Sequence, residues 1–202
     1  MIATDTRKTD TRQQTEINRP RDQRLVYYHP NSAGNGAAMQ LELRLNRRDP
    51  DRYNCFFLEM ATQKTAMGRD GDRKVPATFD WEHKLTVKLD FIDVCELLVV
   101  LEGKADRAGG ARNGLYHENG KACTVIAFQK NTEKGGYGLG LSRKERGGSQ
   151  VLRVHIGLSE PEAVGLRSVF QTALFFMMFH SQLFPPAAGN GDWHARAESE
   201  HE

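Results

Sequence analysis

Two Tyr-His pairs, Tyr28-His29 and Tyr116-His117, are the first residues here with the makings of chemistry, because symmetry bringing them together would create a two-histidine site. Ordinary turn roles at the starts of strands are the competing and favoured reading. His180, His194 and His201 are scattered toward a polar tail and show no metal-ligand spacing. The stretch GGYGLGLSRK has glycines at alternate positions, but it lacks the last glycine of a dinucleotide fingerprint and the GK[ST] of a phosphate loop. Read as a strand, its glycines permit close approach of another chain or of a nucleic-acid backbone. No HExxH, GxSxG or HxE with a paired CxxC occurs, so the reading is a non-catalytic chain with no metal site and no cofactor.

What remains is charge and aromatic surface. Alternation turns Leu85, Val87 and Leu89 toward a core and leaves Lys84, Thr86 and Lys88 on the opposite face. A second strand with the same pattern is expected to bury Leu152, Val154 and Ile156 and to present Arg153 and His155. Arg44, Lys130, Arg143 and Lys144 add positive charge on other strands. Gathered on one surface, such cations would contact phosphates and release counterions. The alternative is a solvated sheet face whose edge lysines prevent aggregation. In YNCFFLEMATQ, Glu59 is expected to face water, which puts Tyr53 and Phe57 on the outward face while Phe56, Leu58 and Met60 pack inward. An exposed ring beside cations is a stacking platform for unpaired bases; packing beneath a helix is the alternative for Phe57, and Trp81 is open to both readings.

These residues need strands to carry them, and the strands come in a repeat. YYHPNSAGNGAAMQLELRL and LYHENGKACTVIAFQK both read Tyr-His-x-Asn, a small-residue turn, then alternation. Further on, LTVKLDFIDVCELL lies over VHIGLSEPEAVGLR, which matches Asp90 with Ser159 and Asp93 with Glu162 as helix caps. Ser159-x-x-Glu162 reads as a capping box, and Asp90 with Asp93 as a poorer version. Helices are expected over 91–102, ended by Gly103, and over 160–181. Strands are expected over 38–46, 53–63, 77–83, 84–90, 115–118, 123–130, 137–143 and 151–158, with KTAMGRDGDRKVP as an inserted surface loop. The fold class is therefore α+β: two pseudo-symmetric repeats of antiparallel strands followed by a helix. The end of the second helix, TALFFMMFHSQLF, is apolar nearly all round, which suits burial or a subunit interface through Phe175, Phe176 and Phe179.

Length and composition bound the rest. The 202 residues suit one domain of two similar halves, 25–104 and 113–184, between a polar arm at 1–24 and an acidic tail at 185–202. A net charge of +2 is too small to announce a polyanion partner by itself. No apolar run approaches the roughly 20 residues that span a bilayer, and no secretory segment follows Met1. Cys55, Cys95 and Cys123 sit singly in apolar patterns, as core thiols of a reducing intracellular compartment, whether cytoplasm, nucleoid or an organelle matrix.

FDWEHKLTVKLDFIDVCELLVVLEG resembles the Whirly family of single-stranded-DNA-binding proteins, with Asp80, Trp81 and Lys84 matching and Phe79 standing where that family has tyrosine. NGKAC at 119–123 is similar to the signature that opens the Whirly sheet, though here it falls in the second half. The kinetoplast guide-RNA-binding proteins are similar in the same way. The resemblance implies a ββββα-ββββα subunit, a homotetramer with helices at its centre, and binding of single-stranded DNA or RNA across sheet surfaces with little sequence preference. Position and analogy together nominate Lys84, Lys88, Lys121, Lys130, Arg143 and Arg153 as phosphate contacts, with Tyr53, Phe57 and Trp81 as stacking rings. A protein-interaction scaffold that keeps the oligomeric fold without nucleic-acid binding is the alternative.

Overall fold

The computed structural model describes residues 24–45, 54–133 and 135–183. Tyr53, the acidic tail and all but the last residue of the arm lie outside them. Strands β1 (Leu25–His29), β2 (Ala37–Arg44) and β3 (Cys55–Thr65) form an antiparallel meander. A small hairpin of β4 (Gly68–Asp70) and β5 (Arg73–Val75) follows, then β6 (Thr78–Phe79) and β7 (Leu85–Leu89), which share the far edge of β3. β7 runs into helix α1 (Phe91–Leu101). The second half repeats the plan: β8 (Leu115–Glu118), β9 (Ala122–Lys130), β10 (Tyr137–Glu145) and β11 (Val151–Leu158) make a four-stranded antiparallel sheet, and β11 runs into α2 (Glu160–Leu183). This is the expected α+β repeat. No described helix is long and apolar enough to cross a membrane.

The two halves are joined by exchange of their helices. Leu85, Val87 and Leu89 of β7 and Leu139, Leu141, Val154 and Ile156 of the second sheet point into one continuous core, which the inner faces of both helices complete. Yet α2 sits on the first sheet: Phe170 meets Phe56 edge-on with centroids 5.3 Å apart, and the Tyr27 hydroxyl donates to the Glu162 carbonyl at 2.9 Å. α1 in turn packs against β9 of the second sheet. The repeated Tyr-His sequence anchors this exchange. His29 Nε2 lies 2.7 Å from Glu162 Oε1 at the start of α2, and His117 Nε2 lies 3.0 Å from Asp93 Oδ1 at the start of α1. Each imidazole therefore grips the first turn of the helix that belongs to the other half, rather than joining its counterpart in a shared site.

Both caps form, but with their expected ranks reversed. Asp90 accepts from the Asp93 amide and Asp93 accepts from the Asp90 amide, each at 2.9 Å, which is a complete capping box. In α2 Glu162 reaches back to the Ser159 amide at 2.8 Å, but the Ser159 hydroxyl donates to that same carboxylate at 2.7 Å. A hydroxyl carries a proton that an adjacent carboxylate will take, whereas an ionised aspartate only accepts and so must face an amide. α1 ends as expected at Gly103, whose φ of 72° lets Lys104 N–H reach the Val99 carbonyl at 2.9 Å.

Three expectations need correction. The strand expected over 77–83 is only Thr78–Phe79, because the Asp80 carboxylate closes a turn on the His83 amide and ring. The inserted loop is a hairpin turning at Gly71, whose φ is 59°. Leu152 is 47% exposed rather than buried, since its row, with Arg143 opposite, lies beyond the last row that the core covers. The thiols Cys55, Cys95 and Cys123 are free, with Cys55 buried and the others half-buried.

The clamp at α2 has a pH signature. Burial pushes the Glu162 carboxyl up, but hydrogen bonds from Ser159 and His29 outweigh it and hold the group below the usual carboxylate range. Its stabilisation is then present above the unfolded value of about 4.3 and lost as pH falls through the folded value. Glu162→Gln should destabilise by about 1 kcal/mol at pH 7, and the gap to the parent should close toward pH 3. Urea denaturation at the two pH values checks this; a gap that persists at pH 3 would contradict the ionic clamp. Phe170→Ala should cost about 3–5 kcal/mol and shift fluorescence and circular-dichroism transitions together, because the two halves share one core.

Candidate nucleic-acid interface

Strand parity decides which side chains leave the core. On the first sheet, Gln40, Glu59 and Thr86 form one outward row across β2, β3 and β7, and Glu42, Phe57 and Lys88 form the next. Two carboxylates thus stand in the middle of this face, and cations gather around them. Lys84 Nζ lies 2.8 Å from Glu59 Oε1, and Gln40 also donates to Glu59. Arg24 and Arg44 hold the two oxygens of Glu42 at 3.0 and 2.6 Å. The Arg44 guanidinium also covers the Phe57 ring, 5.0 Å from its centroid, a cation–π contact that leaves this ring half-buried. Lys88 is exposed and makes no ion pair with a described residue.

Sequence reasoning missed an aromatic pair at the end of this face. Tyr28 falls in a row with the small, fully buried Ala38 and Ala61, and its ring meets Phe79 at 5.4 Å while remaining 57% exposed. The available signal was the pair of alanines at outward positions, which leaves room above the sheet for two rings. Trp81 follows at once in the turn after β6 and is half-buried.

The outward face of the second sheet is built differently. Its rows are Tyr116, Val125, Ser142 and Arg153; then Ala127, Gly140 and His155; then Gln129, Gly138 and Gly157. A further row of Glu118, Cys123, Lys144 and Val151 puts the one carboxylate among the described residues of this face at a corner. Arg153 is exposed with no ion pair to a described residue.

Of the six expected phosphate contacts, Lys84, Lys88 and Arg153 are therefore on outward faces. Lys130 and Arg143 share the parity of Phe128 and Leu141, so they lie on the core side at the sheet's ends, Lys130 exposed and Arg143 paired with Glu145 at 3.2 Å. Lys121 is exposed in the β8–β9 turn. On α2, Ala163, Leu166, Phe170, Ala173 and Met177 are buried at heptad spacing, and Phe176 lines a groove with Leu43 and Phe56. Phe175 and Phe179, whose rings meet at 5.3 Å, face outward at 53% and 42% exposure, with Met178 beside them. Asp80, Glu82 and His83 are close together in a surface turn, where Asp80 already binds His83.

Two sheets radiating from exchanged helices define a Whirly-like fold. WHY3 from Arabidopsis thaliana is similar with a TM-score of 0.59 at 18% identity, over 82% of this chain and 94% of that one. The plant transcriptional regulator PBF-2 is similar at 0.56 and 17%, over 85% and 93%. The MRP1/MRP2 structures of Trypanosoma brucei are similar at 0.53 and 14%, over 88% and 99%. No model of a known protein family matches the chain. No curated protein matches it either.

Burial raises the Glu59 carboxyl, but the hydrogen bonds from Lys84 and Gln40 and the nearby charges of Lys84 and Arg24 bring it below its ordinary value. An NMR titration should find its midpoint under about 4.3 and see it rise in Lys84→Met. A midpoint unmoved by that substitution would mean that Lys84 is not engaged by Glu59 in solution.

Proposed function

We propose that the chain binds single-stranded nucleic acid, DNA or RNA, across its outward sheet faces with little sequence preference, as a homo-oligomer and without catalysis. The observation that carries this reading is a set of exposed cations, Lys88, Lys121, Lys130 and Arg153, none of which is ion-paired with a described residue, on or beside the open sheets of a Whirly-like fold. A fold shared with a transcriptional regulator favours the same reading. Each phosphate neutralised on a single strand releases counterions and adds about 0.7 to the salt slope of binding. Lys84 contributes less than Lys88, since contact with a phosphate must first break its pair with Glu59. Phe57, Trp81 and Tyr53 are the ring candidates for stacking, and three free thiols suit a reducing intracellular compartment.

The exposed ridge of Phe175, Met178 and Phe179 supports self-association, with a tetramer as the assembly expected by resemblance. The scaffold reading draws its support from Glu42 and Glu59, which would repel a phosphate backbone from the middle of the first face.

Fluorescence anisotropy with labelled single-stranded DNA, single-stranded RNA and duplex DNA of equal length, at two salt concentrations, separates the readings. Salt-sensitive binding that prefers single strands is expected, and the slope should fall more in Lys88→Ala than in Lys84→Ala. Flat curves for all three probes would favour the scaffold. Light scattering should report an oligomer that Phe175→Ser with Phe179→Ser dissociates; a stable parent monomer at micromolar concentration would remove the interface.

A further inference from the structure

Four histidine side chains are described, and three of them are bound to acids: His29 to Glu162, His83 to Asp80 and His117 to Asp93. His155 is the exception. It makes no hydrogen bond to another described residue and is exposed on the outward face of β11. Its ring lies across the neighbouring strand rather than away from it. A Cβ added to Gly138 would come within 3.0 Å of His155 Nε2, and one added to Gly140 within 3.5 Å of Cδ2. Both positions have ordinary negative-side backbone, so the absent side chains serve the ring's position and not the strand's conformation.

Around the ring the chemistry is consistent. Arg153 stands two residues away on the same strand and the same face, about 7 Å along it. Lys144 is on the adjacent strand, and both cations are exposed without an ion pair to a described residue. On the first sheet, by contrast, Arg24, Arg44 and Lys84 are all tied to Glu42 or Glu59 in the middle of the face. A phosphate crossing the second sheet meets open cations and a ring; one crossing the first meets Lys88 and, beside it, the carboxylates of Glu42 and Glu59. Tyr116, 56% exposed at the opposite edge of the second sheet, offers another ring.

Resting on the function proposed above, we infer that the second sheet carries a base-contacting site of its own: His155 is a stacking platform for an unpaired base, and Arg153 and Lys144, one and two rows away on the same side of it, hold successive phosphates. The glycines of β10 keep the imidazole low against the sheet, so that one of its faces is covered by backbone and the other is presented to the ligand. Stacking on a ring is sequence-tolerant because every base has a π face.

The test uses the full chain with a single-stranded oligonucleotide and with a copy carrying abasic sites. His155→Ala should weaken binding of the intact strand about fivefold or more and leave the abasic strand nearly unaffected, and His155→Phe should restore most of the loss. Arg153→Ala should weaken both strands alike and lower the salt slope. A parent that binds while His155→Ala binds equally well would overturn this assignment and leave the proposed function standing. Equal losses on intact and abasic strands, or no rescue by phenylalanine, would also overturn it. Failure of the parent to bind either strand would overturn both.

Discussion

The exchange of helices between the halves is the constraint on which everything else rests. A four-stranded antiparallel meander has one apolar face, and a helix on top is the simplest cover. Here the cover comes from the other repeat, so neither half possesses a complete core alone. Phe170 on Phe56 and Tyr27 on the first turn of α2 make the first sheet's burial depend on residues near the end of the chain. The two histidine–carboxylate contacts fix the angle at which each helix arrives, since both fall on the third residue after the cap.

This arrangement frees the outer faces. With both helices on the inside, each sheet turns a whole side away from the core, and its composition is not bound by packing. The repeats have used that freedom differently. Inward residues of the two sheets remain similar, with leucine, valine and isoleucine at matching places. Outward residues have diverged to a lattice of glutamates and cations on the first sheet and to glycine, alanine and serine around His155 on the second. Duplication with a shared interior and independent exteriors allows one chain to present two chemically distinct surfaces.

Much of the fold was legible because its signals are local. β8 and β11 have the boundaries that alternation assigns them, and Asp90, Gly103 and Ser159 mark helix ends by chemistry within a few residues. Likewise the repeat of Tyr-His-x-Asn announced the pseudo-symmetry. Its meaning was hidden, because His29 and His117 act on partners 133 and 24 residues away, and nothing local names those partners. The candidate site was legible by half. Parity correctly turned Lys84, Lys88 and Phe57 outward, but it could not say that Glu59 holds Lys84 or that Arg44 lies over Phe57. Lys130 and Arg143 are nominated by position and analogy, whereas counting alternate residues from Phe128 and Leu141 puts them on the core side.

Helix exchange also sets a clock on biosynthesis. Tyr27 and Glu162 are 135 residues apart, and translation at about 5–20 residues per second separates their emergence by roughly ten seconds. From the emergence of Leu89, which completes it, until α2 follows, the first sheet has every strand it needs and no lid, with Met39, Leu41, Phe56 and Leu58 facing water beside an unpaired strand edge. Such a nascent sheet is an aggregation hazard and a ligand for holding chaperones. The order in which the halves are encoded thus matters for expression: a stop or a pause before α2 leaves an uncovered first sheet, not a smaller folded protein.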